Sequence, residues 1–197
     1  MAQIKITRSY DTVTFETVNI DVTENVFFTN LDPKEAHWPT LATNQVGPYP
    51  SPNSSDCTVT PPAVLTPPAN QVTYTCKIEG HQNEKGIINV FAVLAAGSTT
   101  LSPATKGSQI TEQQVVVGGM SPYTISDQLF EITDSQGNVI QSGSGVGPGL
   151  QLNPKPNSAG ITVTGTPTVS GTYNFTFTVN DAMGKNLQQV QYSMKVA

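Results

Sequence analysis

The sequence predicts an all-β protein made of two β-sandwich domains, and three observations carry that expectation. The first is composition: of 197 residues, 37% are hydrophobic and only 12% charged, both low for a globular chain. Thr, Ser, Gly, Pro, Val and Asn fill the difference, which is the palette of strands and turns. The second is periodicity. Apolar and polar residues alternate over short runs, as half-buried strands require, and no helical period flanks the middle of the chain. The third is a change of signature near the middle, since both histidines and both cysteines fall in the first half. A formal charge of -5 with nine unclustered Lys and Arg argues against nucleic-acid binding. No apolar run approaches the ~20 residues needed to span a bilayer.

Strand signals in the first half come at short spacing: Gln3 to Thr7, Val13 to Thr17, Val18 to Val22 and Asn25 to Asn30. Asp32-Pro33 then marks a turn, after which His37 stands where the chain re-enters extended structure. From Thr40 to Asn70 the pattern breaks down. Pro48, Pro50, Pro52, Pro61, Pro62, Pro67 and Pro68 crowd this span, so it should be a long ordered loop with at most edge strands. Val72 and Tyr74 alternate with Thr73 and Thr75 in a strand that ends at Cys76. A short polar loop carries His81, and Lys85-Gly86 returns the chain to a strand through Ile87, Ile88 and Val90. Thiolate and imidazole from one tight loop can grip the same soft ion, most naturally copper or zinc. His37 completes a two-His, one-Cys set of the kind blue-copper sites use.

On these residues, positions 3–92 resemble a cupredoxin of the plastocyanin–azurin kind, a Greek-key sandwich. The opening Ile4-Lys5-Ile6, the strand ending Phe27-Phe28-Thr29-Asn30, His37, and Cys76…His81…Lys85-Gly86 carry the likeness. The resemblance implies one copper held by His37, Cys76 and His81. It departs from the family where a Met would follow. Aligned on Lys85-Gly86, Glu84 stands in the axial place, and no Met lies nearby. A carboxylate there favours Cu(II) over Cu(I) and makes a poorer oxidant; the other course is that Glu84 faces solvent. Cys57 offers a further alternative, because two cysteines in an exported protein suggest a disulfide. A Cys57–Cys76 bridge would remove Cys76 from the ligand set.

Phe91-Ala92-Val93-Leu94 closes the first domain, expected over residues 1–95, and residues 96–107 read as a linker. In residues 108–197, Val115 to Val117 form a strand, Gly118-Gly119 a turn, and Pro122-Tyr123 open the next strand. Leu129 to Ile132 and Val139-Ile140 flank a hairpin turn at Asp134-Ser135-Gln136-Gly137-Asn138. Tyr173, Phe175, Phe177 and Val179 share one face of a core strand, against Thr172, Asn174, Thr176 and Thr178 on a solvated one. The ordered set Gly-Gly…Pro-Tyr, Pro-Gly-Leu, Gly-Thr-Pro and Gly-Thr-Tyr resembles the Ig-like (cadherin-like) modules of bacterial surface and secreted proteins. Asn180-Asp181 admits calcium or a plain turn, and the turn is the commoner use of a lone Asp.

The function expected is therefore an exported copper-binding protein for electron transfer or copper handling, in the periplasm or outside the cell, with an Ig-like docking or spacer module. Met1-Ala2-Gln3 leads straight into a strand with no signal peptide. The expected partners are a redox protein or a cell-surface molecule. The alternative is a metal-free adhesion or scaffold protein stapled by Cys57 and Cys76. An enzyme is not expected, since two histidines cannot build a second copper centre.

Overall fold

The structure is a computed structural model that describes residues 2–41, 55–59, 70–157 and 159–197. Among these residues all regular structure is β. The chain divides into two compact units, Met1–Ala92 and Val93–Ala197, and each is a two-sheet sandwich with its own core.

The first unit contains β1 (Ala2–Ser9), β2 (Thr12–Phe15), β3 (Val18–Asp21), β4 (Val26–Asn30), β5 (Pro39–Leu41), β6 (Ser55–Val59), β7 (Asn70–Cys76) and β8 (Lys85–Phe91). One sheet has the order β2-β1-β4-β6 and the other β3-β8-β7-β5. Two pairings are parallel, β1 with β4 and β3 with β8. Period-two alternation sends Ile4, Ile6, Phe15, Val26 and Phe28 of the first sheet inward, against Ile20, Tyr74, Ile88 and Val90 of the second. The strand that leads into the Pro-rich stretch, β5, and the one within it, β6, are edge strands among the described residues, as its composition leads one to expect; its prolines and Tyr49 lie outside the described residues.

Tyr74 is the pivot of this core. Its ring meets Phe28 at 4.9 Å and Phe15 at 5.6 Å between centroids, and its hydroxyl donates to the Glu16 carbonyl at 2.8 Å. Directly across the ladder stands Gly86. A Cβ at that position would overlap the Tyr74 ring and hydroxyl and touch Phe15, so the Lys-Gly pair that returns the loop to the sheet needs its glycine. Gly86→Ala is expected to destabilise this unit by about 1–3 kcal/mol through overpacking, read as a lower midpoint in urea titration.

The second unit contains β9 (Ala95–Ala96), β10 (Gln113–Val117), β11 (Thr124–Thr133), β12 (Val139–Ser144), β13 (Leu150–Pro154), β14 (Ile161–Gly165), β15 (Gly171–Asn180) and β16 (Asn186–Val196). Its sheets run β13-β14-β10-β9 and β12-β11-β15-β16. The expected hairpin joins β11 to β12, with Asp134 accepting from the Gln136 and Asn138 N–H groups. In β15, Tyr173, Phe175, Phe177 and Val179 are buried. Thr178 is buried too, against the strict alternation, because the β15–β16 register shifts between Phe177 and Val179. Phe177 and Tyr192 stack at 5.0 Å, and the Tyr192 hydroxyl donates to the Val115 carbonyl of the facing sheet at 2.6 Å.

Residues 96–107, expected as a linker, belong to this second unit. Ala95 and Ala96 pair with β10. Leu101, 4% exposed, donates its N–H to Ser193, and Ala104 donates to Lys195. The Ser, Thr and Pro content reads as a tether, but the backbone there is satisfied by β16 and its one large apolar side chain is buried. Asp181 is likewise absorbed into structure. Its oxygens accept N–H bonds from Met120, Met183 and Lys185, which makes it a turn organiser rather than a candidate calcium ligand.

Candidate metal centre

Four side chains converge at one end of the first unit. One donor atom each from His37, Cys76, His81 and Glu84 lie within 4.8 Å of one another. His37 and Cys76 are buried, while His81 and Glu84 keep 18% and 17% of their side chains exposed. The four come from two stretches of chain, and the backbone explains why they meet.

The first stretch follows β4. Asn30 and Asp32 are fully buried and serve as a frame. The Asn30 amide donates to the Glu35 carbonyl and accepts the Asp32 N–H, and Asp32 in turn accepts the Lys34 N–H at 2.8 Å. These nested side-chain turns fold residues 30–35 back and deliver His37 to the mouth of the sandwich. β5 then pairs with β7, placing Pro39 opposite Cys76. The Trp38 N–H points at the Cys76 sulfur at 3.3 Å, and the Lys77 N–H donates to the Trp38 carbonyl. Lys77 also carries its ammonium 5.1 Å from the Trp38 ring, which makes Trp38 a packing residue of the rim.

The second stretch is the β7–β8 loop. The Cys76 N–H donates to the Glu84 carbonyl at 2.9 Å, closing the loop. Inside it, His81 donates to Ile78, and Glu84 donates to His81. Two successive tight turns thus hold a thiol, an imidazole and a carboxylate on one side. Glu84 faces the cluster: one carboxylate oxygen, Oε2, lies 2.9 Å from His37 Nδ1 and 3.2 Å from His81 Nδ1. Of the two courses left open for Glu84, the geometry takes the inward one. The two imidazole rings stand 5.4 Å apart, and Phe15 meets His37 edge-on at 5.8 Å.

Among the described residues Cys76 is a free thiol. β6, which bears Cys57, lies in one sheet, and β7 ends at Cys76 in the other; the Cys57 side chain lies outside the described residues. Burial pushes the Cys76 thiol up from its ordinary range. The Trp38 and Ile78 N–H groups pull the other way, and Glu84 adds to the rise. A thiol so placed stays protonated at neutral pH until a cation takes the proton's place.

Behind the donors lies a charge network that sequence reasoning missed. His37 Nε2 meets Asp32 Oδ2 at 2.8 Å, and the same oxygen accepts from Arg8 Nε at 2.8 Å. The other arm of Arg8 reaches Glu35, whose carboxylate lies 3.7 Å from His81 Nε2. Desolvation works to raise the Asp32 pKa, yet the Lys34 N–H, His37 and Arg8 together outweigh it and hold it down to about 2. With Arg8 Nε and the Lys34 N–H both donating to it, Asp32 is placed as the acceptor for His37 Nε2. Asp32-Pro33 reads in sequence as a turn, and Arg8 as a strand residue; no local pattern links them to His37.

That network predicts acid sensitivity. Depression of the Asp32 pKa from 3.8 to about 2 means the folded state binds the proton less readily than the unfolded one. The resulting stability, about 2 kcal/mol, is fully present above pH ~4 and fades as pH falls towards 2. Asp32→Asn should flatten this part of the pH–stability curve of the metal-free protein, followed by chemical denaturation.

A family model described as Putative Ig domain matches residues 98–197, just over half of the chain. The chain belongs to this Ig domain family. The match covers the second unit almost from its first strand, and it takes in the stretch expected as a linker. No curated protein matches the chain. Three solved structures illustrate the range of its structural neighbours. CopC from Methylosinus trichosporium OB3b aligns with 50% of this chain and 84% of its own, at 16% identity and a TM-score of 0.28. SporoSAG from Toxoplasma gondii aligns over 92% and 96%, at 13% identity and a TM-score of 0.42. The IG1+IG2 portion of DIP-gamma aligns over 100% and 95%, at 10% identity and a TM-score of 0.40. The cluster of His37, Cys76, His81 and Glu84 lies wholly outside the region that the Ig domain model matches.

Proposed function

We propose that the first unit is a cupredoxin-like copper protein that holds one ion through His37, Cys76, His81 and Glu84, serving electron transfer or copper handling. The convergence of these four donors within 4.8 Å carries this reading. The fit rests on donor chemistry. With the His37 proton on Nε2, its Nδ1 lone pair faces a carboxylate oxygen only 2.9 Å away, and that oxygen also approaches His81 Nδ1. Electron-rich atoms so arranged need a positive charge among them, from a proton or a metal ion. Imidazole and thiolate donors suit copper. The thiolate and the Glu84 carboxylate contribute two negative charges, which a divalent ion neutralises and a monovalent one does not.

Copper in such a site supplies one-electron transfer. The protein's own part is to hold the donors rigidly, to keep water from the buried His37 and Cys76, and to leave the edge of His81 accessible. The Ig domain supports a cell-surface or extracellular setting and a docking or spacing role. Its outer strand β12 is exposed along its whole length, with Val139 54% and Ile140 50% exposed, which favours recognition as this unit's own contribution.

The test is addition of Cu(II) to the metal-free protein while following its visible spectrum. An intense thiolate-to-copper band with one ion per chain is the expected result. A colourless protein that binds no copper, with a titratable Cys76 thiol, sinks the reading and leaves recognition by the Ig domain as the function.

A further inference from the structure

We propose that Arg8 and Asp32 are positioning residues of the metal centre: the buried Arg8–Asp32 pair holds His37 as the Nε2–H form and so turns Nδ1 towards the ion. The inference rests on the copper reading and adds to it the part that decides how His37 is presented.

The geometry supports this at three levels. Asp32 is fully buried and Arg8 nearly so, at 0% and 10% side-chain exposure, which is a costly arrangement for charges unless each is paired and hydrogen-bonded. They are: Asp32 Oδ2 takes both the Arg8 Nε and the His37 Nε2 contacts at 2.8 Å, and Oδ1 takes the Lys34 N–H. A pair used only for stability has no need of the imidazole, yet the ring is seated on the same oxygen. A carboxylate behind a ligand imidazole fixes its orientation and raises the basicity of the opposite nitrogen, and its loss typically costs 10–100-fold in metal affinity. Arg8 also ties Glu35, and through it approaches the outer nitrogen of His81. One guanidinium from β1, a strand in the sheet opposite Cys76, therefore backs both histidines.

The ordering of charge decides which ion benefits. Arg8 is shared between Asp32 and Glu35, so this network adds a net negative charge to those of Cys76 and Glu84, and together they favour a divalent ion. Replacing Asp32 by Asn keeps an acceptor for the Lys34 N–H but removes one negative charge beside His37, leaving Arg8 paired with Glu35 alone. That change penalises Cu(II) more than Cu(I). A tenfold loss in Cu(II) affinity relative to Cu(I) raises the reduction potential by about 59 mV.

The experiment compares wild type, Asp32→Asn, Arg8→Gln, Arg8→Lys and His37→Ala in the full chain. Copper affinity is measured by competition with a chelator, and the reduction potential of each loaded protein by redox titration. Far-ultraviolet circular dichroism of the metal-free forms confirms folding. A third readout needs no metal: proton–nitrogen NMR of the metal-free wild type should show a slowly exchanging His37 Nε2–H. The expected result is that proton, a fall in Cu(II) affinity of about 10–100-fold in Asp32→Asn with a raised potential, a similar fall in Arg8→Gln, and partial recovery in Arg8→Lys. If His37→Ala loses copper while Asp32→Asn keeps wild-type affinity and potential, His37 is a ligand and the positioning role is overturned. If the His37 proton sits on Nδ1 alone in the metal-free protein, the role is overturned directly. If wild type itself takes up no copper, the copper reading fails first and this inference falls with it.

Discussion

Cys76→Ser is expected to abolish the thiolate-to-copper band and to weaken copper binding by more than the roughly 10–100-fold that loss of an outer-shell partner costs. Sulfur is the only soft donor in the cluster. The other three are two imidazole nitrogens and a carboxylate oxygen, which a harder or borderline ion can use but which give no intense visible transition with Cu(II). The substitution should not unfold the protein, because serine nearly preserves the volume of a side chain that is 2% exposed at the end of β7, and the Trp38 N–H that points at the sulfur finds an oxygen instead. Cys57→Ala should leave the band intact, since four donors are present without Cys57. A band that survives Cys76→Ser would place the chromophore elsewhere and remove the cupredoxin reading. Glu84→Met separates the remaining question, whether the carboxylate contributes to the ion. It should shift the band and raise the potential, as a neutral thioether replaces an anionic oxygen.

Phe177→Ala carries the largest expected cost to folding. Phe177 is 1% exposed, stacks on Tyr192 at 5.0 Å and neighbours Phe175 in the same apolar cluster. Truncating a buried aromatic to alanine costs about 3–5 kcal/mol. For a unit of this size that corresponds to a fall of roughly 10 °C or more in its melting temperature. The copper band should be unchanged at temperatures where the altered unit has already melted, because every proposed ligand belongs to the other unit. Calorimetry alongside absorbance would read both at once. Loss of copper in step with the melting of the second unit would show that the two do not behave as separate folding bodies.

How far the sequence led differs between the two kinds of structure. Strand positions were legible because period-two alternation is enforced at each residue by the sheet itself: β1, β3, β4 and β15 lie close to their expected places. The Cys76–His81–Glu84 loop was legible too, since its three donors are local and a Gly closes it. The boundary of the second unit was not. The stretch 96–107 reads as a tether, but its fate is set by pairing with β10 and β16, and such distant partners leave no mark on local composition. Arg8 and Asp32 were missed for the same reason. A strand arginine and a turn aspartate look ordinary until folding puts them on one imidazole.

The parallel pairing of β3 with β8 has a consequence for when the proposed metal site could form. Val18 lies beside Ile88, and Asp21 beside Phe91, so the second sheet of this unit cannot close until nearly all ninety-two residues are available to it. Such long-range closure is entropically demanding and slow. His37 emerges from the ribosome well before Cys76, His81 and Glu84, but it has no partner while it waits. The full donor set comes into being at the step that completes the sandwich. A nascent or partly unfolded chain thus offers isolated histidines and thiols of low affinity, and only the finished fold competes for the ion. Metal uptake under the copper reading would then report on completed folding.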